Sequence, residues 1–431
     1  MGLFNYCDGM KRRDFLTAGA VSGLSLSLAD YMRMAQAGQI RSAKAQQVLF
    51  VHLTGGPSHM DTFDLKPNAP EEVRGEFRPI STSAPGVQIS EHLPNLAKAA
   101  KHFAILRGVS HTLAAHALGT QYLNTGNRPL PSLQFPGFGS VVSKELGSPE
   151  DVPPFVAIPD TPQEAGYLGV RYAPLETKST PRMGAPFRVR GISLDQKITL
   201  QAAQSRDLLL RKLDTKFNAL SASSEIVGGL DEFSDRANRV IQSPRTREAF
   251  DISRESTSVA ESFGATGFGQ SCLLAIRLLE AGVRFTSVSY GGWDTHQDNF
   301  ARLKDTRLPE FDQGLAALFT TLHERGMLES TLVCVTGEFG RTPKINPRGG
   351  RDHWPRAMFV LLAGGGIQGG QVLGASNDKG EEPKEEAITP DQVAATIYHS
   401  LGINYTKEYN TTTGRPVMLV RDGQVLHSLF S

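Results

Sequence analysis

The sequence predicts an α/β fold built on a mostly parallel sheet, and two observations predict it. Short, fully apolar runs alternate with amphipathic helical patterns, as expected of βα units. Three of those runs also end alike, in a sharp glycine turn followed by acids and histidines. Ligands of open α/β sheets bind just beyond the carboxyl ends of the strands. Three ends of this kind would bring oxygen and nitrogen ligands to one rim.

The first strand is the run Val48 to Leu53, which leads into Gly55-Gly56-Pro57-Ser58-His59-Met60-Asp61-Thr62-Phe63-Asp64. Pro67 to Gly86 follows as a proline-rich loop. Leu93-Pro94 opens a short helix ending near Lys101, and Phe103 to Leu106 reads as the second strand. A helix is expected from His116 to Leu123 with Gly126 just beyond it, then a strand at Phe155 to Ile158. Residues 194–262 are charged and helical, either an insertion or lid on one face or an ordinary pair of surface helices. Cys272, Ile276 and Leu279 keep helical spacing up to Gly282, as do Phe311, Leu315, Leu318 and Leu322 up to Gly326. Between these helices Phe285 to Tyr290 runs into Gly291-Gly292-Trp293-Asp294-Thr295-His296. Leu332 to Val335 then runs into Thr336-Gly337-Glu338-Phe339-Gly340-Arg341-Thr342-Pro343. The last helix has two reinforcing start signals: Thr389 and Gln392 make a capping box, and Pro390 takes the first helical position.

At 431 residues, with 39% apolar and 21% charged side chains, the chain has a soluble globular composition. Lysine plus arginine (45) balances aspartate plus glutamate (44), so there is no electrostatic footprint for nucleic acid. Three cysteines make no disulfide framework. Cys272 and Cys334 read as buried thiols, with a bridge between them the lesser alternative in an oxidising compartment.

The N-terminus has the order of an export signal. Lys11-Arg12-Arg13-Asp14-Phe15-Leu16 supplies paired arginines, a weakly apolar stretch runs from Thr17 to Leu28, and Ala35-Gln36-Ala37 offers a cleavage site before Gly38. Residues 1–37 are therefore expected to be a twin-arginine signal peptide, recognised by the twin-arginine export machinery. The folded domain occupies 46–431. No other segment is long and apolar enough for a membrane helix, so none is expected after processing. The destination is the periplasm or cell envelope.

Chemistry concentrates at the glycine turns. Asp294 and His296, two residues apart on a loop past a buried strand, suit a divalent cation that accepts mixed oxygen and nitrogen ligands. Glu338 lies alone between Gly337 and Phe339, as a further ligand or as a partner of Arg341. Asp352-His353-Trp354 brings another histidine from a glycine loop beside the apolar run Met358 to Ala363. His59 and Asp61 follow the first strand, and His111 and His116 the second. Arg341, Lys344 and Arg351 are placed either to hold an anionic group or to neutralise Glu338 and Asp352. Gly55-Gly56-Pro57 lacks the lysine and hydroxyl of a phosphate-cradling loop, which disfavours nucleotide binding. No haem or iron–sulfur motif supports an oxidoreductase.

The leader, the Gly-Gly-Pro-Ser-His-Met-Asp-Thr-Phe-Asp block, Gly-Gly-Trp-Asp-Thr-His, Gly-Glu-Phe-Gly-Arg-Thr-Pro and Gly-Arg-Asp-His-Trp-Pro together resemble an exported bacterial family, domain of unknown function 1501. That family is placed among the alkaline-phosphatase and sulfatase-like folds. The resemblance covers nearly the whole chain and implies a three-layer α/β/α sandwich of alkaline-phosphatase type, with a metal site at the strand ends. Asp294, His296, Glu338 and His353 fall close to where the superfamily places metal ligands. His116 stands where sulfatases carry the Cys or Ser that becomes formylglycine, and Thr54 where the first-strand metal-binding aspartate is expected. The scaffold and part of the site are thus kept without the usual covalent chemistry.

The resemblance implies an exported metal-dependent hydrolase of phosphate or sulfate esters, with a sulfated or phosphorylated glycan as one substrate class. Asp294, His296, Glu338 and His353 would hold the ion, together with His59 and Asp61. His116 would serve as ligand or general acid, and Arg341 or Arg351 would stabilise the transferred group. Zinc, manganese or iron suits histidine plus carboxylate better than calcium. The rival reading is a non-catalytic sulfatase-like module that binds metal or glycan in the cell envelope.

Overall fold

Each apolar run becomes a strand with both faces covered, which is why the runs are continuous rather than alternating. The computed structural model describes residues 43–189, 192, 237–411 and 413–430. The expected leader at 1–37 and most of the helical stretch expected at 194–262 lie outside the described residues. Within that stretch the helices Pro244–Phe250 and Thr257–Ser262 are described.

Eight strands form the central sheet: β1 (Gln47–His52), β2 (Phe103–Val109), β3 (Phe155–Ile158), β4 (Leu175–Glu176), β5 (Phe285–Ser289), β6 (Thr331–Thr336), β7 (Met358–Ala363) and β8 (Val372–Leu373). Their order across the sheet is β8-β2-β7-β6-β1-β5-β3-β4. All pairings are parallel except those of β7, which runs against both β2 and β6.

Alternate residues of β1 point into different cores. Leu49 and Val51 join the cluster built by α1 (Pro94–Ala99), α4 (Gly267–Glu280) and α5 (Leu308–Glu324). Val48 and Phe50 join the cluster built by α2 (His116–Thr125), α3 (Phe138–Leu146) and α6 (Pro390–Ser400). Helices on both faces make the sheet the middle layer of an α/β/α sandwich, as expected. The loop expected from Pro67 to Gly86 is more ordered than its prolines suggest. It contains a helical turn, Glu71–Arg74, and a strand, Pro79–Ser81, that pairs with Gln88–Ser90. Cys272 and Cys334 are free, buried thiols.

Register brings the functional ends together. His52 at the end of β1 is level with Ser289 of β5 and Thr336 of β6. Because β7 is antiparallel, its entry end lies at the rim where its neighbours exit, with Met358 level with Val109. Residues that precede β7 therefore meet residues that follow β1, β2, β5 and β6.

The last helix starts as its sequence requires. Thr389 Oγ1 accepts from the Gln392 amide at 3.3 Å, and Gln392 Oε1 accepts from the Thr389 amide at 2.9 Å. Gly126 ends α2 at φ 68°, and a Cβ there would sit 2.2 Å from that of Ala394 in α6. Thr389→Ala is expected to cost about 1 kcal/mol. Gly126→Ala is expected to cost more, because strain in the left-handed region adds to the overlap. Urea midpoints with unchanged m-values check both.

Candidate metal centre

The chain brings imidazoles to the rim from separate elements. His116 opens α2, Asp294 and His296 follow β5, and His353 lies in a two-stranded ribbon with Arg341 just before β7. Ligand atoms of His116, Asp294 and His353 all lie within 4.8 Å of one another. His353 Nε2 is 3.3 Å from Asp294 Oδ1, and His116 Nε2 is 3.6 Å from Asp294 Oδ2. His296 joins from the side: its Nε2 is 3.0 Å from Asp294 Oδ1 and 3.0 Å from His353 Nε2. Phe339, fully buried, stacks beneath His116 and His353 at 5.0 and 4.6 Å between centroids.

Each imidazole is tied at its other nitrogen. His116 Nδ1 is 2.5 Å from Glu338 Oε1, His296 Nδ1 is 2.6 Å from Asp352 Oδ1, and His353 Nδ1 is 2.8 Å from the Ala114 carbonyl. Close backbone approach makes this possible. A side chain at Gly350 would collide with the His296 carbonyl, and one at Gly55 would lie 2.5 Å from the Asp294 amide.

Asp294 is set by Arg341, whose Nη2 donates to Oδ1 at 2.5 Å. Burial opposes ionisation of this carboxyl, but the hydrogen bond and charge of Arg341 outweigh it and hold its pKa below the ordinary value. Burial keeps the His353 imidazole below its ordinary pKa, which favours the neutral, ligating form. His111 is also pushed down by burial, to about 4. It donates from Nε2 to the Glu338 carbonyl at 2.8 Å and accepts at Nδ1 from the Leu113 amide, so it supports the loop.

Several expected roles change. Glu338 points inward rather than to the open centre. It is fully buried and accepts from the Gly55 amide at 2.9 Å, and it makes no pair with Arg341. Asp61 is not a rim ligand: it is spent on Arg351, whose Nε donates to it at 2.8 Å, and on Asn299 at 2.9 Å. His59 is buried behind the ribbon with Nε2 2.9 Å from the Gly380 carbonyl. Arg341 and Arg351 are both 0% exposed. Arg341 also donates to the carbonyls of Gly55, Gly56 and Arg351, and Arg351 to those of Val73, Thr342 and Pro343. Neither guanidinium is available to a transferred group. A buried charge must spend its donors on fixed partners, and these two have done so.

Two participants were not visible from residue type alone. Asn346 donates to both Asp352 oxygens, at 3.3 and 3.4 Å, and to the His296 carbonyl at 3.0 Å. His52 lies 3.9 Å from Glu338 under the site. Asn346 sits in Asn346-Pro347-Arg348-Gly349-Gly350, which reads as a plain turn.

A sandwich of this topology, with such a cluster at its strand ends, defines an α/β protein with a possible metal site at the rim. The chain belongs to the family described as "Protein of unknown function (DUF1501)", whose model matches residues 45–430. No curated protein matches it. Among solved structures it is similar to the PsFucS1 sulfatase from Pseudoalteromonas sp., at 14% identity over 96% of this chain and 76% of that one, with a TM-score of 0.42. It is similar to Ps i-CgsB in complex with k-i-k-neocarrahexaose at 8% identity, over 84% and 72% of the chains, with a TM-score of 0.39. A TAB5 alkaline phosphatase mutant with Mg bound in the M3 site matches at 11% identity, over 77% and 94%, with a TM-score of 0.34. What the rim does rests on its own geometry.

Breaking the buried pair tests the corrected roles. Arg351→Met and Asp61→Ala each strand one charge, and each is expected to cost about 3–5 kcal/mol in denaturant titration. Because neither side chain faces the rim cluster, the chains that remain folded should match wild type in any zinc uptake. Full stability with lost zinc binding would return Asp61 to the ligand set.

Proposed function

We propose that the protein is a metal-dependent hydrolase of phosphate or sulfate esters, including esters carried by polysaccharides. One observation carries this reading. His296 Nε2 and His353 Nε2 face each other at 3.0 Å, although the other nitrogen of each ring lies against an oxygen that can only accept. Two nitrogen lone pairs at that separation repel unless a proton or a metal ion lies between them, and the Asp294 carboxylate beside both nitrogens supplies the further oxygen ligand that a metal ion takes. With Asp294 and His116 alongside, the donor set is three imidazoles and one carboxylate, which suits zinc, manganese or iron rather than calcium.

When bound, such an ion acidifies water, to a pKa of about 7 for zinc in favourable sites, and so supplies a nucleophile. Among the described residues, no serine, threonine or cysteine side chain is hydrogen-bonded to the cluster, so water would be the attacking group. His116, Asp294 and His353 would hold the ion, and His296 would complete the set. Arg341 keeps the Asp294 carboxylate charged and aimed.

A second reading has its own observation: Arg341 and Arg351 are sealed, so neither can clamp an anionic ester. That favours a sulfatase-like module that binds metal or glycan without turnover. Purified protein supplied with zinc, manganese or iron is expected to hydrolyse an aryl phosphate or aryl sulfate, with activity lost on chelation and regained on adding metal. His353→Ala and Asp294→Ala should lower kcat/KM by roughly 100-fold or more, about 2.7 kcal/mol of barrier. Full metal occupancy without turnover across both ester classes would establish the module instead.

We also propose export to the periplasm or cell envelope through the twin-arginine route, on the order of Arg12, Arg13, the weakly apolar stretch and Ala35-Gln36-Ala37. Replacing Arg12 and Arg13 with lysines is expected to leave unprocessed chain in the cytoplasm, as read by fractionation. Normal processing of that variant would point to a different route.

A further inference from the structure

We propose that Glu338 and Asp352 are positioning residues: they hold His116 and His296 as Nδ1–H tautomers, so that both Nε2 lone pairs face the centre. This rests on the metal reading above. An ionised carboxylate is acceptor-only, so the ring nitrogen that meets it carries a proton unless a metal ion lies between them, as the metal reading has it for His296 Nε2 and Asp294 Oδ1, 3.0 Å apart. Glu338 meets His116 Nδ1 at 2.5 Å and Asp352 meets His296 Nδ1 at 2.6 Å. Neutral histidine side chains in water favour the opposite tautomer, with the proton on Nε2. Without the carboxylates, that proton would occupy the place of the ion.

Both carboxylates are themselves fixed. The Gly55 amide donates to the two oxygens of Glu338 at 2.9 and 3.3 Å, inside a fully buried pocket. Asp352 is more open, with a side chain 49% exposed, and is held by Asn346. The Asn346 amide cannot be turned over. Its Oδ1 accepts from the Arg348 and Gly350 amides at 2.9 and 3.0 Å, which leaves Nδ2 facing Asp352 and the His296 carbonyl. One side chain thus joins the loop carrying His296 to the loop carrying Asp352. Outer partners of this kind typically fix the orientation of a ligating histidine.

The test uses processed protein with 15N-labelled histidine, read first without metal. Long-range proton–nitrogen spectra are expected to show Nδ1 of His116 and His296 protonated already in metal-free protein, where His296 Nε2 faces the Asp294 carboxylate and takes a second proton, and to show the Nδ1–H form alone once zinc is bound. Asp352→Ala and Asn346→Ala should move His296 toward the Nε2–H form, and Glu338→Ala should do the same to His116. In competition with a chelator, zinc affinity should fall roughly 10–100-fold in each variant. The cobalt-substituted protein should show a shifted absorption spectrum. Asp352→Asn keeps an acceptor oxygen and is expected to recover most of the affinity. If Glu338→Ala does not fold, Asp352→Ala and Asn346→Ala, read at His296, carry the comparison. His296 found without a proton on Nδ1 in wild type, or unchanged Nδ1 protonation and zinc affinity in Asp352→Ala, would overturn the proposal. Wild-type protein that takes up neither zinc nor cobalt would overturn the metal reading, while Nδ1 protonation in metal-free protein would still decide the positioning role.

Discussion

A guanidinium with no access to solvent organises the rim. Arg341 reaches the carbonyls of Gly55 and Gly56 in the loop after β1, the Arg351 carbonyl before β7, and the Asp294 carboxylate after β5. Removing a charge from water is affordable only if every donor finds a fixed acceptor. Arg341 meets that condition with groups from separate loops, so the loops are locked relative to one another. Burial lowers the pKa of Arg341, and Asp294 counters that effect. The carboxylate at the centre is thus half of a structural ion pair as well as a candidate ligand.

Around this lock, the imidazoles share one design in different materials. His116 leans on a buried carboxylate, His296 on an open carboxylate and His353 on a peptide carbonyl. A carboxylate raises the basicity of its imidazole more than a carbonyl does, so the donors are electronically unequal. Phe339, fully buried, supplies the apolar wall behind His116 and His353. Such a wall lowers the local dielectric and strengthens every charged contact in front of it.

The sheet was legible in the sequence because burial on both faces leaves uninterrupted apolar runs, and the last helix because its capping box is local. The histidines at the rim were legible too, since Asp294, His296 and His353 sit on glycine turns next to those runs. Their partners were not. Whether Arg341 pairs with Glu338, three residues away, or with distant Asp294 depends on which carboxylate the fold buries elsewhere. Glu338 is already claimed by His116 and the Gly55 amide. The same logic removed Asp61: a carboxylate close in sequence to a glycine turn reads as a ligand until Arg351 is seen beside it. Asn346 carried no signal at all, because its role appears only when two loops meet.

The reversed direction of β7 has a consequence for biogenesis. His353 arrives at the rim on the way into its strand, and β7 is inserted between β2 and β6, which precede it in the chain. The sheet therefore cannot close, nor the last imidazole arrive, until nearly the whole polypeptide has left the ribosome. Long-range pairings of this sort form late and slowly. A chain truncated before the ribbon would lack both His353 and the strand that joins β2 to β6.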